Sequence, residues 1–327
     1  MLTPIVGLHH VTAVASNPQQ NLDFYTQVLG LRFVKRTVNF DDPGTYHFYF
    51  GDDAGTPGTI LTFFPWADAA KGKPGVGEVT RTAFSVPLSS LDYWKHRLRE
   101  RTFLVEDTGK RFDEEVITFS DPDGMRIEIV GHADAGVVNA PRYSPVPVEH
   151  AIRGFFGVTL FENRPDETAA ILEIMGFHKI AEDGNRLRFA AHGSALGNHI
   201  DLLIDPEAKY GDFGAGSVHH IAFRVKDDAS QLEWREEIRK HLNVTPVRDR
   251  TYFHSIYFRE PGGVLFELAT DPPGFALEES PESLGEELQI PDWLESKRAL
   301  IEAHLAPITL HKELPAHAFL PVKARTV

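Results

Sequence analysis

The sequence predicts an α+β fold assembled from four copies of one small unit, each a strand, a helix and three further strands, which pair into two sheet domains. Three observations lead there. Gly7-Leu8-His9-His10-Val11-Thr12 aligns without gaps on Gly154-Phe155-Phe156-Gly157-Val158-Thr159, and each stretch runs into a helix-like segment that ends in a glycine, Gly30 or Gly176. Thr80-Arg81-Thr82-Ala83-Phe84-Ser85-Val86 aligns on His219-His220-Ile221-Ala222-Phe223-Arg224-Val225, and the register persists: Arg81 to Asp121 and His220 to Glu260 are both 40 residues. A unit of about 55 to 60 residues leaves much of its apolar surface uncovered, so the units must pair to bury their sheets.

Taken in order, unit one lies near residues 5 to 65, with a helix expected from Gln19 to Leu29 and stopped at Gly30, a residue free to take positive φ. Unit two lies near 77 to 132, with a helix from Leu88 to Glu100. Its turn Asp121-Pro122-Asp123-Gly124 leads into the alternating strand Ile127-Glu128-Ile129. Ala133 to Glu149, with Pro141, Pro145 and Pro147, reads as a linker. Unit three, 150 to 205, carries a helix from Asp166 to Met175, and unit four, 216 to 271, one from Ala229 to His241. In unit four Glu260-Pro261-Gly262-Gly263 precedes Phe266-Glu267-Leu268, so Glu267 and Glu128 fill the same slot. The expected domains are residues 1–140 (units one and two) and 150–271 (units three and four). A Pro- and Glu-rich arm, 272–327, follows, with one short helix from Pro291 to His304.

A chain of 327 residues with 42% hydrophobic side chains can build two globular cores. The formal charge of -14 repels phosphate backbones and anionic lipid, which argues against nucleic acid as a partner. With no cysteine, disulfides, thiolate ligands and a cysteine nucleophile are excluded, and any metal site must use His and carboxylate. No export signal and no membrane span is evident, which leads us to expect a cytoplasmic protein. A homo-oligomer is compatible with the sequence.

The chemistry gathers in units one and four. Each opens a strand with a His-His doublet, where units two and three have Thr80-Arg81 and Phe156-Gly157. A lone histidine at a strand start is usually structural, and 16 histidines make chance doublets unsurprising. Equivalent placement in a repeat, with Glu267 on the last strand of the unit that carries His220, is harder to dismiss. Two imidazoles and a carboxylate on rigid strands hold non-haem Fe(II) with one face open, and they also suit Zn(II) as a Lewis acid. Aligning Gly58 on Gly263 puts Thr62 where Glu267 stands, so no fourth protein ligand is expected, which favours direct binding of substrate and O2. In unit two Glu128 either pairs with Arg81, replacing the lost cation, or is exposed without a partner.

These residues resemble the vicinal oxygen chelate superfamily, which includes glyoxalase I, bleomycin-resistance proteins and extradiol dioxygenases and whose hallmark is the βαβββ unit. Within it, Gly7-Leu8-His9-His10, Phe33-Val34-Lys35-Arg36-Thr37, Gly55-Thr56-Pro57-Gly58-Thr59 and His219-His220 with Glu267 are similar to hydroquinone-type ring-cleaving dioxygenases. The resemblance covers nearly the whole chain and implies two cupped, barrel-like sheets, module 1 pairing with 4 and module 2 with 3. It implies metal ligands His10, His220 and Glu267, with His9 and His219 beside the substrate. Strict strand alternation would instead send neighbouring side chains to opposite faces. It also places a hydroxyl at Thr12, two residues after His10, and sets Arg250 and Tyr257 on the pocket wall. There they would steady an anionic ring oxygen or bound dioxygen, although a surface salt bridge and a strand aromatic account for them equally well.

The expected function is a non-haem Fe(II) dioxygenase, with Mn(II) as the alternative metal, that opens a hydroquinone- or catechol-type ring with O2. Two rivals stand beside it: a glyoxalase-like metal-dependent isomerase or lyase, and a metal-free small-molecule binding protein. Gly211 to Ser217 is Gly-rich but precedes a strand, so it lacks the helix amides that cradle phosphate. Neither a Gly-x-Ser-x-Gly elbow nor a His-Glu-x-x-His helix occurs.

Overall fold

The computed structural model describes residues 2–67, 69–136, 139–193 and 196–311; the end of the expected arm, 312–327, lies outside the described residues. Unit one supplies β1 (Leu8–Ala15), α1 (Pro18–Asp23), β2 (Arg32–Asn39), β3 (Asp42–Gly51) and β4 (Ile60–Pro65). Unit two supplies β5 (Glu78–Pro87), α2 (Leu91–Glu100), β6 (Glu106–Arg111), β7 (Glu114–Ser120) and β8 (Arg126–His132). Unit three supplies β9 (Phe155–Glu162), α3 (Pro165–Ile174), β10 (Phe177–Asp183), β11 (Arg186–Ala191) and β12 (His199–Ile204). Unit four supplies β13 (Val218–Val225), α4 (Asp228–Ile238), β14 (Arg248–Asp249), β15 (Phe253–Arg259) and β16 (Leu265–Pro273), and the arm adds α5 (Arg298–His304).

The first helix departs from the expected Gln19 to Leu29. It starts at Pro18, where the Asn17 side chain accepts from the Gln20 N–H, and its second half, Phe24–Val28, is π-helical. The Leu29 N–H therefore reaches back to the Phe24 carbonyl, 3.1 Å away, before Gly30 stops the turn at φ 72°.

The strands form two eight-stranded sheets among the described residues, in the orders β14-β15-β16-β13-β1-β4-β3-β2 and β10-β11-β12-β9-β5-β8-β7-β6. Units one and four share the first sheet and units two and three the second, each joined at its centre by an antiparallel pair, β1 with β13 or β5 with β9. Sequence halves 1–140 and 150–271 thus each send one unit to either sheet. Helices bury apolar side chains against the sheets, and the two buried tryptophans find polar ends: Trp94 Nε1 donates to the His150 carbonyl and Trp234 Nε1 to the Thr3 carbonyl, at 2.9 and 2.8 Å.

The segment read as a linker packs on unit one. The Asp53 N–H bonds the Asn139 carbonyl, Arg142 bonds the Asp53 carboxylate and Ser144 bonds the Gly30 carbonyl. The arm crosses β2 and β3, where Gln289 N–H donates to the Arg36 carbonyl and Tyr46 Oη to that of Ala306.

Candidate metal centre

The centre is built where β1 meets β13, and two irregularities in that ladder shape it. Leu8 pairs with Phe223 and His10 with Ala222, so His9 is an extra residue on β1. Likewise Thr12 pairs with His220 and Ala13 with Val218, so His219 is extra on β13. A bulge re-aims the side chains around it. This is why neighbouring histidines do not split between faces as strict alternation demands: the His9 and His10 rings lie 5.2 Å apart and those of His219 and His220 5.0 Å apart.

His10 Nε2, His220 Nε2 and Glu267 Oε2 converge. The two nitrogens are 3.3 Å apart and stand 3.3 and 2.9 Å from the carboxylate oxygen, and one ligand atom of each residue lies within 4.8 Å of the others. All three residues are buried. The outer nitrogens face away: His10 Nδ1 meets His9 Nδ1 at 3.0 Å and His220 Nδ1 meets His219 Nδ1 at 2.7 Å. If His10 and His220 donate those bonds, both Nε2 atoms carry lone pairs, and three inward acceptors face one another without a hydrogen. Glu267 Oε2 accordingly has no hydrogen-bond partner, while Ser255 donates to Oε1. Burial by itself would raise the Glu267 carboxyl; positive charge at His10 and His220 outweighs burial and holds it well below the usual carboxylate range, and where both imidazoles are neutral a bound cation is what can take that part. Buried lone pairs in this arrangement fit a cation, and the donor set suits a divalent transition metal.

The fourth slot is fixed by register. Ala222 pairs with Glu267 in the parallel ladder of β13 and β16, and Thr12 pairs with Thr62 in the equivalent ladder of β1 and β4. Thr62 therefore stands where a second carboxylate would be, as the repeat alignment anticipates. It donates to Thr12 at 2.8 Å.

A cavity of about 180 Å³ opens over the triad, walled by Phe40, Tyr49, Phe64, Trp66, Phe253 and Tyr257 together with His47, His219 and Arg250. Of the residues placed near a substrate, His219, Arg250 and Tyr257 line it. His9 and Thr12 do not: His9 stands behind His10, fully buried and in a backbone hydrogen bond with Thr270, and Thr12 lies under the Thr62 hydroxyl. Burial and its neighbour His220 push the His219 imidazole down to about 3, which keeps it neutral. Arg250 donates to Tyr257 Oη at 3.1 Å and reaches Asp41, at the tip of the β2–β3 hairpin, at 3.2 Å. Burial and the Glu267 charge raise the Tyr257 phenol, so it remains a hydrogen-bond donor.

Sequence reading missed His47, Ser255, Phe253, Asp41 and Trp66. His47, Phe253 and Ser255 had a signal, the period-two spacing that puts His47 with Tyr49 and Phe253 and Ser255 with Tyr257.

The second sheet repeats the geometry without the acceptors. Gly157 occupies the His10 position, where an added Cβ would lie 2.1 Å from the His199 carbonyl oxygen. Glu128, fully buried, is bound by Arg111 through both guanidinium Nη atoms and by Arg81 at 3.2 Å. The ion pair is thus the arrangement adopted, with a second arginine that the sequence did not single out. A larger open cleft of about 800 Å³ lies between α1, the linker and the arm; it touches no triad residue, and its Arg32 and Arg142 both bind Asp53.

The sequence profile of the Glyoxalase/Bleomycin resistance protein/Dioxygenase superfamily matches residues 7–129 and 141–268. A Bacillus subtilis (strain 168) protein that carries the name ring-cleaving dioxygenase MhqO is 48% identical over 315 residues, 95% of this chain and 99% of that one. The chlorohydroquinone/hydroquinone 1,2-dioxygenase of Sphingobium indicum is 35% identical over 317 residues, 94% of this chain and 98% of its own. Among solved structures, a Bacillus subtilis protein named as a dioxygenase superposes with TM-score 0.92 at 47% identity, covering 95% of this chain and 100% of its own. Maize glyoxalase I, at TM-score 0.60 and 13% identity over 81% of this chain and 92% of its own, shares the fold alone.

Proposed function

The chain belongs to the Glyoxalase/Bleomycin resistance protein/Dioxygenase superfamily, and from that premise we propose that it is a non-haem Fe(II)-dependent dioxygenase that opens a hydroquinone- or catechol-type ring with O2. One observation carries the reading: three buried acceptors from two units converge, and the fourth slot holds Thr62, which leaves a side of the centre open. The relatives named as ring-cleaving dioxygenases support the same reaction class.

His10, His220 and Glu267 would hold the metal, while His9, His219 and Ser255 fix the orientation of those three through their outer atoms. Fe(II) bound there would supply electron exchange between a ring phenolate and O2, which a closed-shell cation such as Zn(II) cannot. Arg250 and Tyr257 would bind an anionic ring oxygen, since one carries fixed charge and the other keeps its proton. The walls are largely aromatic, and about 180 Å³ is well below the ~300 Å³ at which drug-sized pockets begin, which matches a single ring.

The test is anaerobic reconstitution with Fe(II), then air, with a panel of hydroquinones and catechols: one O2 per ring is expected to be consumed. His10→Ala, His220→Ala and Glu267→Ala are each expected to lose the metal, and Arg250→Ala to keep it with lower turnover. If no O2 is consumed and the Zn(II) or Ni(II) protein converts a thiol hemiacetal, the glyoxalase-like reading replaces this one.

A further inference from the structure

Arg111 and Arg250 hold the same place in the two sheets and do opposite things. Each stands 17 residues before the buried carboxylate of its own sheet, Glu128 or Glu267, and each is followed by a residue at positive φ, Phe112 at 51° and Thr251 at 68°. The backbone turn that launches the two side chains is thus shared. Across the neighbouring ladder Thr118 pairs with Glu128 and Tyr257 with Glu267. In the second sheet the buried Thr118 hydroxyl makes no hydrogen bond, and Arg111 runs in to grip both oxygens of Glu128. In the first, Tyr257 Oη takes Arg250 Nε at 3.1 Å, the guanidinium carbon lies 5.4 Å from the centre of the tyrosine ring, and Asp41 takes Nη1 at 3.2 Å from the tip of the β2–β3 hairpin. Arg250 stops at the cavity wall, and Glu267 Oε2 is left without a hydrogen bond. The pull the other way is the stronger one. Glu267 is fully buried, whereas the Asp41 side chain is 67% exposed, and a buried charge attracts a guanidinium more than a solvated one does.

We propose that Tyr257 and Asp41 are positioning residues for the metal seat: they hold Arg250 on the cavity wall, and without them its guanidinium folds onto Glu267, as Arg111 does on Glu128, and shuts the seat. The inference rests on the reading of His10, His220 and Glu267 as a metal centre. Inward lone pairs that accept a cation also accept a guanidinium, so Arg250 and the metal compete for one carboxylate. The tether matters most before metal is taken up, because a divalent cation at Glu267 repels the guanidinium by itself.

The experiment measures Fe(II) affinity, without O2, by competition between metal-free protein and a chelator. Tyr257→Phe keeps the ring against His220, whose centroid is 5.8 Å away, and removes only the acceptor, while Asp41→Ala changes an exposed side chain. The double variant Asp41→Ala/Tyr257→Phe is expected to bind Fe(II) about 10- to 100-fold more weakly than wild type, with each single variant in between. Adding Arg250→Met to the double variant is expected to bring affinity back to within about threefold of wild type, because it removes the competitor. A crystal structure of the metal-free double variant is expected to show the Arg250 guanidinium within hydrogen-bond distance of Glu267. A double variant that binds Fe(II) like wild type overturns the proposal. So does a loss that persists when Arg250→Met is added, since Tyr257 and Asp41 would then act on the centre without Arg250. If Tyr257→Phe does not fold, Asp41→Ala with and without Arg250→Met gives the same comparison, and the absence of a loss or of its rescue overturns the proposal there. A wild-type protein that takes up no metal defeats the metal-centre reading, and this inference falls with it; one that binds metal while the variants bind it equally well defeats this inference alone.

Discussion

A carboxylate that ligates through one oxygen keeps its angle only if the other is bound, and the buried Ser255 hydroxyl provides that bond to Glu267 Oε1. Ser255→Ala is therefore expected to weaken metal binding about 10- to 100-fold, the range found when an outer partner of a ligand is removed. Competition against a chelator measures it, and an unchanged affinity would mean that packing alone aims the carboxylate. His9→Ala is expected to keep one metal per chain with a similar loss of affinity, because His9 holds the outer nitrogen of His10 and does not face the centre. Complete loss of metal in that variant would make His9 a ligand.

At the level of elements, the two sheets are the same ladder with different occupants. In the second, Thr80 and Phe156 are the extra residues where β5 meets β9, at the positions of His219 and His9 in the first. What differs is how the buried carboxylate is compensated. A shift of 139 residues carries Glu128 onto Glu267 and also Arg111 onto Arg250. Arg111 closes on Glu128, while Arg250 is drawn to Tyr257 and Asp41 and leaves Glu267 to the histidines. Breaking one side of a buried ion pair typically costs about 3–5 kcal/mol. Arg111→Met is expected to approach that range in urea unfolding, and Arg81→Met, a single contact at 3.2 Å, to lose less. The reverse order would assign the main compensation to Arg81. Lys35 fastens another element: it is fully buried on β2, with Nζ 2.6 Å from Glu279 and 3.3 Å from Glu278 of the arm. Lys35→Met should open the arm to limited proteolysis, and adding Glu279→Gln should restore part of the lost stability by removing the stranded charge. Equal cleavage of wild type and Lys35→Met would show the arm to be held by its other contacts.

Across the whole molecule, the sheets meet where the end of β9 packs against the turn before β16. Glu162 sits there fully buried, both oxygens without a hydrogen-bond partner, close enough to Gly262 that a Cβ on that residue would lie 2.1 Å from Oε2. Burial, and then the charge of Glu260, raise its carboxyl from 4.5 to about 8. A raised acid favours folding in its protonated form, so its contribution is complete below about pH 4.5 and is lost as pH climbs toward 8. Thermal melts are expected to show wild type losing stability between pH 5 and 8.5 more steeply than Glu162→Gln, which keeps the neutral shape. Parallel slopes would mean that Glu162 is already ionised at the low end of that range.

The sequence by itself determined the four units, their order, the two His-His doublets and Glu267, because a repeat exposes its own exceptions: a His-His doublet in two units against Thr-Arg and Phe-Gly in the others is visible without coordinates, whereas the choice of His10 and His220 within the doublets came from the family resemblance. It also carried the vacancy at Thr62, since register within a unit is a matter of counting. What only the tertiary structure decided lies across the ladders. His9 and His219 turn toward their ligand neighbours because bulges interrupt β1 and β13, and a bulge exists only relative to a partner strand. Arg111 meets Glu128 and His47 meets Thr62 between strands, and Asp41 meets Arg250 between two connecting turns, and no periodicity within a strand reports which partner a side chain will find.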